Sequence, residues 1–480
     1  MKKILFISLA VVLGLSVGLI GCGGEELPPE EPESIVIGLA RDVDEDLAFF
    51  DWCAGGPVYR YYDELWDDPG IHLSAYDTAG YTSYVPVDMV VRDFSLAEWD
   101  IGDVTEALID EGADFIWGGP GTAPIYSQGP VCNANGVLLF GLEGGASEMV
   151  WEDMLDDWPY VWLSLSFANW YEMPVLSGIM NAEVDDPKAY VVYINDTHGY
   201  EYRGAFKEVF GAENVVAEIG IPYNIDKTQA DTIIQNAITA LGDPANPNYD
   251  IFCGFCYPWL VEPLTQASID NNFNPPAIVF GPGANFGYYA YSFGDAEQDI
   301  VTPPGDASLV EGIMCFAVAT SETEVSVGTP TMSMADMYNA MMAQLDADVA
   351  AGDCLIPLPG ALLLDYWGYP CYVASAEMWK YAVEEVGDLD SVAIRNALAE
   401  YSPSNPAQTV FGDTWYTVWG DGFGGGIIDY KCHTGEIGQW QNAAMEVVGY
   451  SGITNELPNH FATADIRYPM TDQWGWIIND

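Results

Sequence analysis

From residue 35 onward, short apolar runs alternate with stretches of helical spacing, and that alternation leaves few folds open. The first run, SIVIGLA at 34–40, has no polar residue after Ser34 to mark a solvent face. Such a run reads as a strand buried on both sides, the position strands hold in a parallel sheet. PVDMVVRDF gives a second strand. AEWDIGDVTEALIDEGA follows, with Ile101, Val104, Ala107 and Leu108 at helical spacing. DFIWGGPGTAP reads as a strand breaking into a glycine-rich turn, YSQGPVCNANG as a short helix, and VLLFGLEGGAS as the next strand and turn. Strand and helix in succession argue for a parallel α/β sheet.

The pattern restarts after about Phe167. PVLSGIMNA has helical spacing, KAYVVYIND reads as a strand, and HGYEYRGAFKEVFGA as a helix ending at Gly211. A strand at NVVAEIGIPYN precedes a helix with Ile233, Ile234, Ala237, Ile238 and Leu241 on one face and Gly242 at its end. YDIFCGF, WLVEPLTQASIDNNF and PPAIVFGPG continue as strand, helix and strand, so two α/β lobes follow one another. A third region holds LVEGIMCFAVAT and helices around MADMYNAMMAQLDADVAAG, YWGYPCYVASAEMWKYAVEEVG and DSVAIRNALAEYS. FGGGIIDY and GEIGQWQN read as β segments joined by a turn, and the polar, aromatic tail from Ala444 is expected to cap a lobe.

The amino terminus sets the compartment. A basic MKK precedes an uncharged apolar run that ends in LIGC, so residues 1–22 read as a bacterial export signal. Gly21 before Cys22 gives the ending the form of a lipobox, which makes Cys22 the lipidated first residue of an extracytoplasmic, membrane-anchored lipoprotein. The other reading is a plain anchor, for which about 18 apolar residues barely suffice. Residues 23–34, GGEELPPEEPES, are acidic and proline-rich, as a flexible tether is. The body then starts near Ile35 and is long enough for two or three lobes.

The chain carries 72 acidic residues against 13 basic ones. Losing Lys2 and Lys3 with the signal leaves 11 basic residues and a balance of −61. Disordered acidic segments lack aromatics, whereas this chain has 16 Trp, 29 Tyr and 19 Phe. It is therefore a folded protein with an acidic skin. Nucleic acid is excluded as a partner, because phosphate binding needs Lys and Arg. A salty medium that screens self-repulsion, or repulsion from an anionic envelope, accounts for the acidity.

Nine cysteines less Cys22 leave eight, an even number that suggests disulfides outside the cytoplasm. Cys354 and Cys371 flank a proline-rich loop, and Cys53 and Cys132 share a lobe, so each pair is a candidate bridge. Cys253 and Cys256, in CGFC between a strand and a helix, have the layout of a thioredoxin-type site. A redox role needs a thiolate, and no Lys or Arg lies between Lys227 and Lys380 to favour one. A structural disulfide or two buried thiols is the preferred reading, and a Cys-x-x-Cys metal site lacks a second pair.

Several segments, in order, resemble the type I periplasmic solute-binding proteins, the branch typified by the leucine/isoleucine/valine-binding proteins of ABC importers. They are AYVVYINDTHGYEYRGAFKEVFG, YDIFCGFCYPWLVEPLTQASIDNNFNPPAIVFGPGANF, EGIMCFAVAT, YVASAEMWKYAVEEVGDLDSVAIRNALAE and FGGGIIDYKCHTGEIGQWQ. The likeness runs from about Ile35 to Asn442. It implies an α/β fold of two doubly wound parallel-sheet lobes joined by three crossovers, placed near 163–167, 306–312 and 435–439. Lobe 1 is then 35–165 with 310–436, and lobe 2 is 166–309 with 437–480. The ligand sits between the lobes, outside the carboxyl ends of the strands, and the lobes close on it by a hinge.

The same resemblance suggests the site. Gly121 and Thr122 lie in the first-lobe turn GGPGTAP at 118–124, whose backbone N–H groups are expected to face a ligand carboxylate at a helix start. Thr122 either adds a hydroxyl or caps the helix. Glu143, Gly144, Gly145 and Ser147 form the second such loop. On the second lobe His198 stands where the family has an aromatic cover, with Tyr200 beyond it; the alternative is a histidine at a surface helix start. Tyr257 and Trp259 are candidate walls, with Phe50 and Trp52 as weaker ones from the first lobe. Amino-acid binders of this family pair the ligand ammonium with an acid after the strand AIVFGPG, but here Gly283 occupies that place. Glu143 or Asp196 is left to substitute, and amides or small carboxylates stay open as ligands. The function implied is delivery of a small organic solute to an ABC permease by a monomer, without chemistry, cofactor or metal. The alternatives are a ligand-sensing lipoprotein, a surface scaffold that has lost its ligand, and a thiol–disulfide oxidoreductase using Cys253 and Cys256.

Overall fold

A computed structural model of the protein describes residues 31–42, 56–95, 100–119, 121–141, 156–165, 167–293, 307–318, 320, 324–326, 331–333, 336–340, 343, 365–419, 424–432, 437–442, 444–449 and 462–470. The first pass of the chain runs β1 (Ile35–Arg41), α1 (Gly56–Leu65), β2 (Val87–Asp93), α2 (Ile101–Asp110), β3 (Phe115–Trp117), α3 (Thr122–Asn135), β4 (Leu138–Gly141) and β5 (Val161–Leu163). The chain then enters a second unit with α4 (Glu172–Glu183), β6 (Ala189–Ile194), α5 (Thr197–Phe210), β7 (Val215–Ile221), α6 (Lys227–Leu241), β8 (Ile251–Phe255), α7 (Pro258–Asp270), β9 (Ala277–Phe280) and β10 (Met314–Phe316). It returns through α8 (Gly368–Val386), α9 (Ser391–Glu400), β11 (Tyr416–Val418) and β12 (Gly426–Ile428), and crosses again to β13 (Ile437–Gln441) and β14 (Ala444–Gly449).

Two seven-stranded sheets result. The first has the order β11-β12-β5-β4-β3-β1-β2 and the second β14-β13-β10-β9-β8-β6-β7. Their central pairs are parallel, with Ile37 opposite Phe115 in one and Ile251 opposite Ala189 in the other. The late crossings add antiparallel pairs at one end of each sheet: β11 on β12 in the first, and β13 between β10 and the edge strand β14 in the second. The expected two doubly wound α/β lobes are thus present.

Period-2 alternation sorts the first sheet's side chains. Ile35, Ile37, Leu39, Phe115, Trp117 and Phe140 pack on one face, while Ile116, Leu139, Val161 and Leu163 pack on the other with Ile101 and Leu108 of α2. Trp117 also meets Trp66 and Trp379 edge-on, so much of the aromatic excess is spent in cores. Local signals set the helices. Asp226 and Gln229 form a reciprocal capping box on α6, which buries Ala230, Ile233, Ile234, Ala237 and Leu241 and stops at Gly242, φ +76°.

The structure departs from the sequence reading in several places. Helix α2 buries Ile101, Thr105 and Leu108 and exposes Ala107. Thr105 is admitted because its hydroxyl donates to the Ile101 carbonyl at 2.8 Å. The β segments β12 and β13 do not pair with each other; one lies in each sheet, so the chain between them is a crossing. Strand β10 hydrogen-bonds to β9 and β13, so the chain is still in the second sheet at Phe316 and not back in the first from 310. Glu31, within the expected tether, accepts from Ser83 Oγ at 2.5 Å and from Tyr81 at 3.2 Å, which holds the tether's last residues on the body. Near the other end, residues 462–470 lie on the second unit: the Met470 N–H donates to the Pro276 carbonyl and Arg467 pairs with Glu311. Cys22 and residues 1–30 lie outside the described residues.

Candidate functional site

The carboxyl ends of the parallel strands bring the two units face to face, and the chain's crossings lie beside them. Glu172 Oε1, at the start of α4 after the first crossing, accepts from Trp367 Nε1 at 2.8 Å, just before α8 after the second. Asp365 and Asn285 join at 2.6 Å where that second crossing leaves the second unit. These buried contacts tie neighbouring crossings to each other.

On the second unit, Asp196 caps α5 by accepting the Gly199 N–H at 2.8 Å, and it also receives the Tyr257 hydroxyl. Position 199 admits no side chain, because a Cβ there would lie 2.0 Å from the Ile194 carbonyl oxygen. That close approach turns the first turn of α5 inward, so His198 and Glu201, three residues apart, share a buried face. The His198 ring stacks on Tyr257 at 4.7 Å and 23°, and Tyr257 stacks on Trp259 at 4.7 Å. Trp259 is fixed in turn by donating to the Tyr223 carbonyl at 3.0 Å. Burial lowers His198 to about 3, so the imidazole is neutral. Burial also pushes the Glu201 carboxyl well up, with Asp196 adding to the effect and Thr122 opposing it.

From the first unit, α3 points its amino terminus at this cluster. Gly121 is its cap residue at φ +87° and Thr122 its first residue. Thr122 Oγ1 donates across the gap to Glu201 Oε2 at 3.1 Å, with both side chains 2% exposed. Among the described residues, the remaining oxygen, Glu201 Oε1, and Nε2 of His198 have no hydrogen-bond partner. The arrangement offers stacking surfaces, a helix terminus and two unpaired polar atoms, which suits binding.

Of the residues expected from sequence, Thr122, His198 and Tyr257 come together here. Tyr200 does not join them: it is 50% exposed and touches Tyr193 on the outer side of α5. Glu143, Gly144, Gly145, Ser147, Phe50 and Trp52 lie outside the described residues. Asp196 is occupied as a cap and as acceptor for Tyr257. Gly283 is glycine for packing, since a Cβ there would stand 2.3 Å from Val261 Cγ2 and 2.7 Å from the Cys256 carbonyl oxygen.

Two residues escaped the sequence reading. Glu201 sits one turn beyond His198, and an i, i+3 projection from the candidate histidine would have found it. Arg41 is wholly buried at the carboxyl end of β1, where its guanidinium donates to the Gly118 carbonyl at 2.9 Å and to the Tyr372 hydroxyl at 3.4 Å. The signal was a lone cation closing an apolar strand at the edge where ligands bind in such sheets.

Cys253 and Cys256 are both wholly buried free thiols, and burial raises both far above the range in which a thiolate forms. Cys132 is a buried free thiol as well, and Cys371 Sγ donates to the Trp367 carbonyl at 3.2 Å. Their expected bridge partners, Cys53 and Cys354, lie outside the described residues. Among the described residues no group of three or more His, Cys, Asp or Glu is placed to hold a metal ion.

No protein-family model matches the chain, and no curated protein matches it. Solved structures do. The leucine-binding protein LivK of Thermotoga maritima superposes with a TM-score of 0.57 at 13% identity, covering 86% of this chain and 97% of that one. The branched-chain amino acid transporter substrate-binding protein LivJ of Streptococcus pneumoniae, in complex with isoleucine, gives 0.58 at 15%, covering 91% and 100%. An ABC-transporter solute-binding protein of R. palustris, in complex with benzoate, gives 0.58 at 16%, covering 90% and 98%. At these identities the likeness is one of architecture, and it spans nearly the whole chain. The protein has the fold of the type I periplasmic binding proteins.

Proposed function

We propose that the protein is an extracytoplasmic solute-binding protein that holds a small organic molecule between its lobes and hands it to an ABC importer, tethered to the membrane through Cys22. The observation that carries this reading is the meeting of Thr122 and Glu201 across the lobes. Two desolvated polar side chains from different lobes touch there, with polar atoms beside them that have no partner among the described residues. Buried unpaired groups are costly in a protein that is only a scaffold, and a ligand that completes them repays the cost. Structures with this architecture hold isoleucine or benzoate, which supports an amino acid, an amide or a carboxylate-like molecule as cargo. The protein performs no chemistry in this reading, and one chain with one ligand is the working unit. A thermal-shift screen of small organic solutes on the chain from residue 23 onward tests it. A true ligand raises the melting point in a concentration-dependent way, and His198→Ala abolishes the shift. Absence of any shift across amino acids, amides and aromatic acids defeats the reading.

A further inference from the structure

Glu201 is a buried acid set opposite a helix amino terminus, and among the described residues its Oε1 is without a partner while Oε2 takes the Thr122 hydroxyl. The groups around it are His198 and Asp196 from its own element, Thr122 from α3 and Tyr257 from the approach to α7. None of these is a cation, and the described ion pairs of Arg203, Lys207 and Arg467 go to other acids. His198 contributes a second unpaired atom, Nε2, from a neutral ring. In the tautomer with its proton on Nδ1, that atom accepts a hydrogen bond. Burial favours the neutral acid at Glu201 while no cation is near, and an ammonium placed beside it supplies the opposite charge that favours the carboxylate. Glu201 and His198 Nε2 then offer two acceptors one helical turn apart, which match a group with several N–H donors.

We propose that Glu201, with His198 beside it, selects a small solute carrying a protonated amine. This rests on the cleft-binding reading above. Glu201 takes the part that Gly283 is sterically barred from, since position 283 has no room for a side chain. The protein's net charge of −59 draws cations toward the site from a distance.

The test is calorimetric titration of the chain from residue 23 onward. The probes are the standard amino acids, primary alkyl and arylalkyl amines, the N-acetyl derivative of each, and benzoate-type acids. Amine-bearing probes are expected to bind, with N-acetylation weakening them about 100-fold, and Glu201→Gln should weaken the amines by a similar factor. Glu201→Gln should leave the melting point of the free protein close to that of the parent. The acetylation comparison needs no variant, so it stands if Glu201→Gln does not fold. Tightest binding by a probe without an amine, or unchanged amine affinity in a folded Glu201→Gln, overturns the inference and leaves cleft binding intact. Failure of every probe class overturns cleft binding, and this inference with it.

Discussion

An alanine at position 199 would bring its Cβ to 2.0 Å from the Ile194 carbonyl oxygen, a contact with rigid backbone that cannot relax by a rotamer change. Gly199→Ala is therefore expected to cost about 1–3 kcal/mol of stability by urea unfolding, and to weaken ligand binding by displacing His198 and Glu201. A second residue-scale prediction concerns Glu377, buried in α8 with Oε2 accepting the Val410 N–H at 2.6 Å. Burial raises its carboxyl from 4.5 to about 8 in the folded protein. The folded state then holds a proton that the unfolded state releases. Glu377 therefore makes stability fall as pH rises from about 4.5 towards 8. Glu377→Gln keeps the acceptor and removes the titration, so it should flatten the fall and leave the variant more stable than the parent at pH 8, measured by melting temperature against pH. At this scale the sequence pointed to residues that follow a strand, such as Thr122 and His198, which the structure brings to one place. It did not point to Glu201 or Arg41, whose buried contacts are to residues 79 and 77 positions away.

Elements were legible where one period or one cap dominates. Helix α6 carries its stop and start signals in its own residues, and the structure reproduces its buried face. Asp226→Ala removes one half of the capping box and should cost about 1 kcal/mol, read as a lowered urea midpoint with unchanged slope. Helix α2 was harder, because Thr105 is polar by type yet fits the core by satisfying itself within the helix. The segments around Gly426–Ile428 and Ile437–Gln441 were correctly seen as strands, but their partners were not. Strand pairing is a long-range choice, and short runs such as GII and IGQWQ carry no mark of whether they join each other or two distant sheets. The CGFC motif shows the same limit: its residues left a structural disulfide and two buried thiols both open, and only the packing of β8 between β6 and β9 shows two free sulfurs sealed from solvent.

Across the whole molecule, the alternation of strand and helix was enough to foretell two parallel-centred α/β lobes, because that order admits few other ways of covering both faces of a sheet. The same view explains the charge. With a net charge of −59, self-repulsion opposes the folded state at low ionic strength, so raising salt from 0.1 M toward 1 M, where the screening length falls from about 10 to about 3 Å, should raise the melting temperature. A melting temperature that falls with added salt would count against repulsion as a leading destabiliser. The central claim is that the lobes close on a guest and that the Thr122–Glu201 contact marks the closed state. Small-angle X-ray scattering from the chain from residue 23 onward, with and without a ligand found by thermal shift, addresses it directly. The account predicts a smaller radius of gyration at saturating ligand, with the loss of that change in Glu201→Gln. Identical scattering curves with the site fully occupied would contradict it.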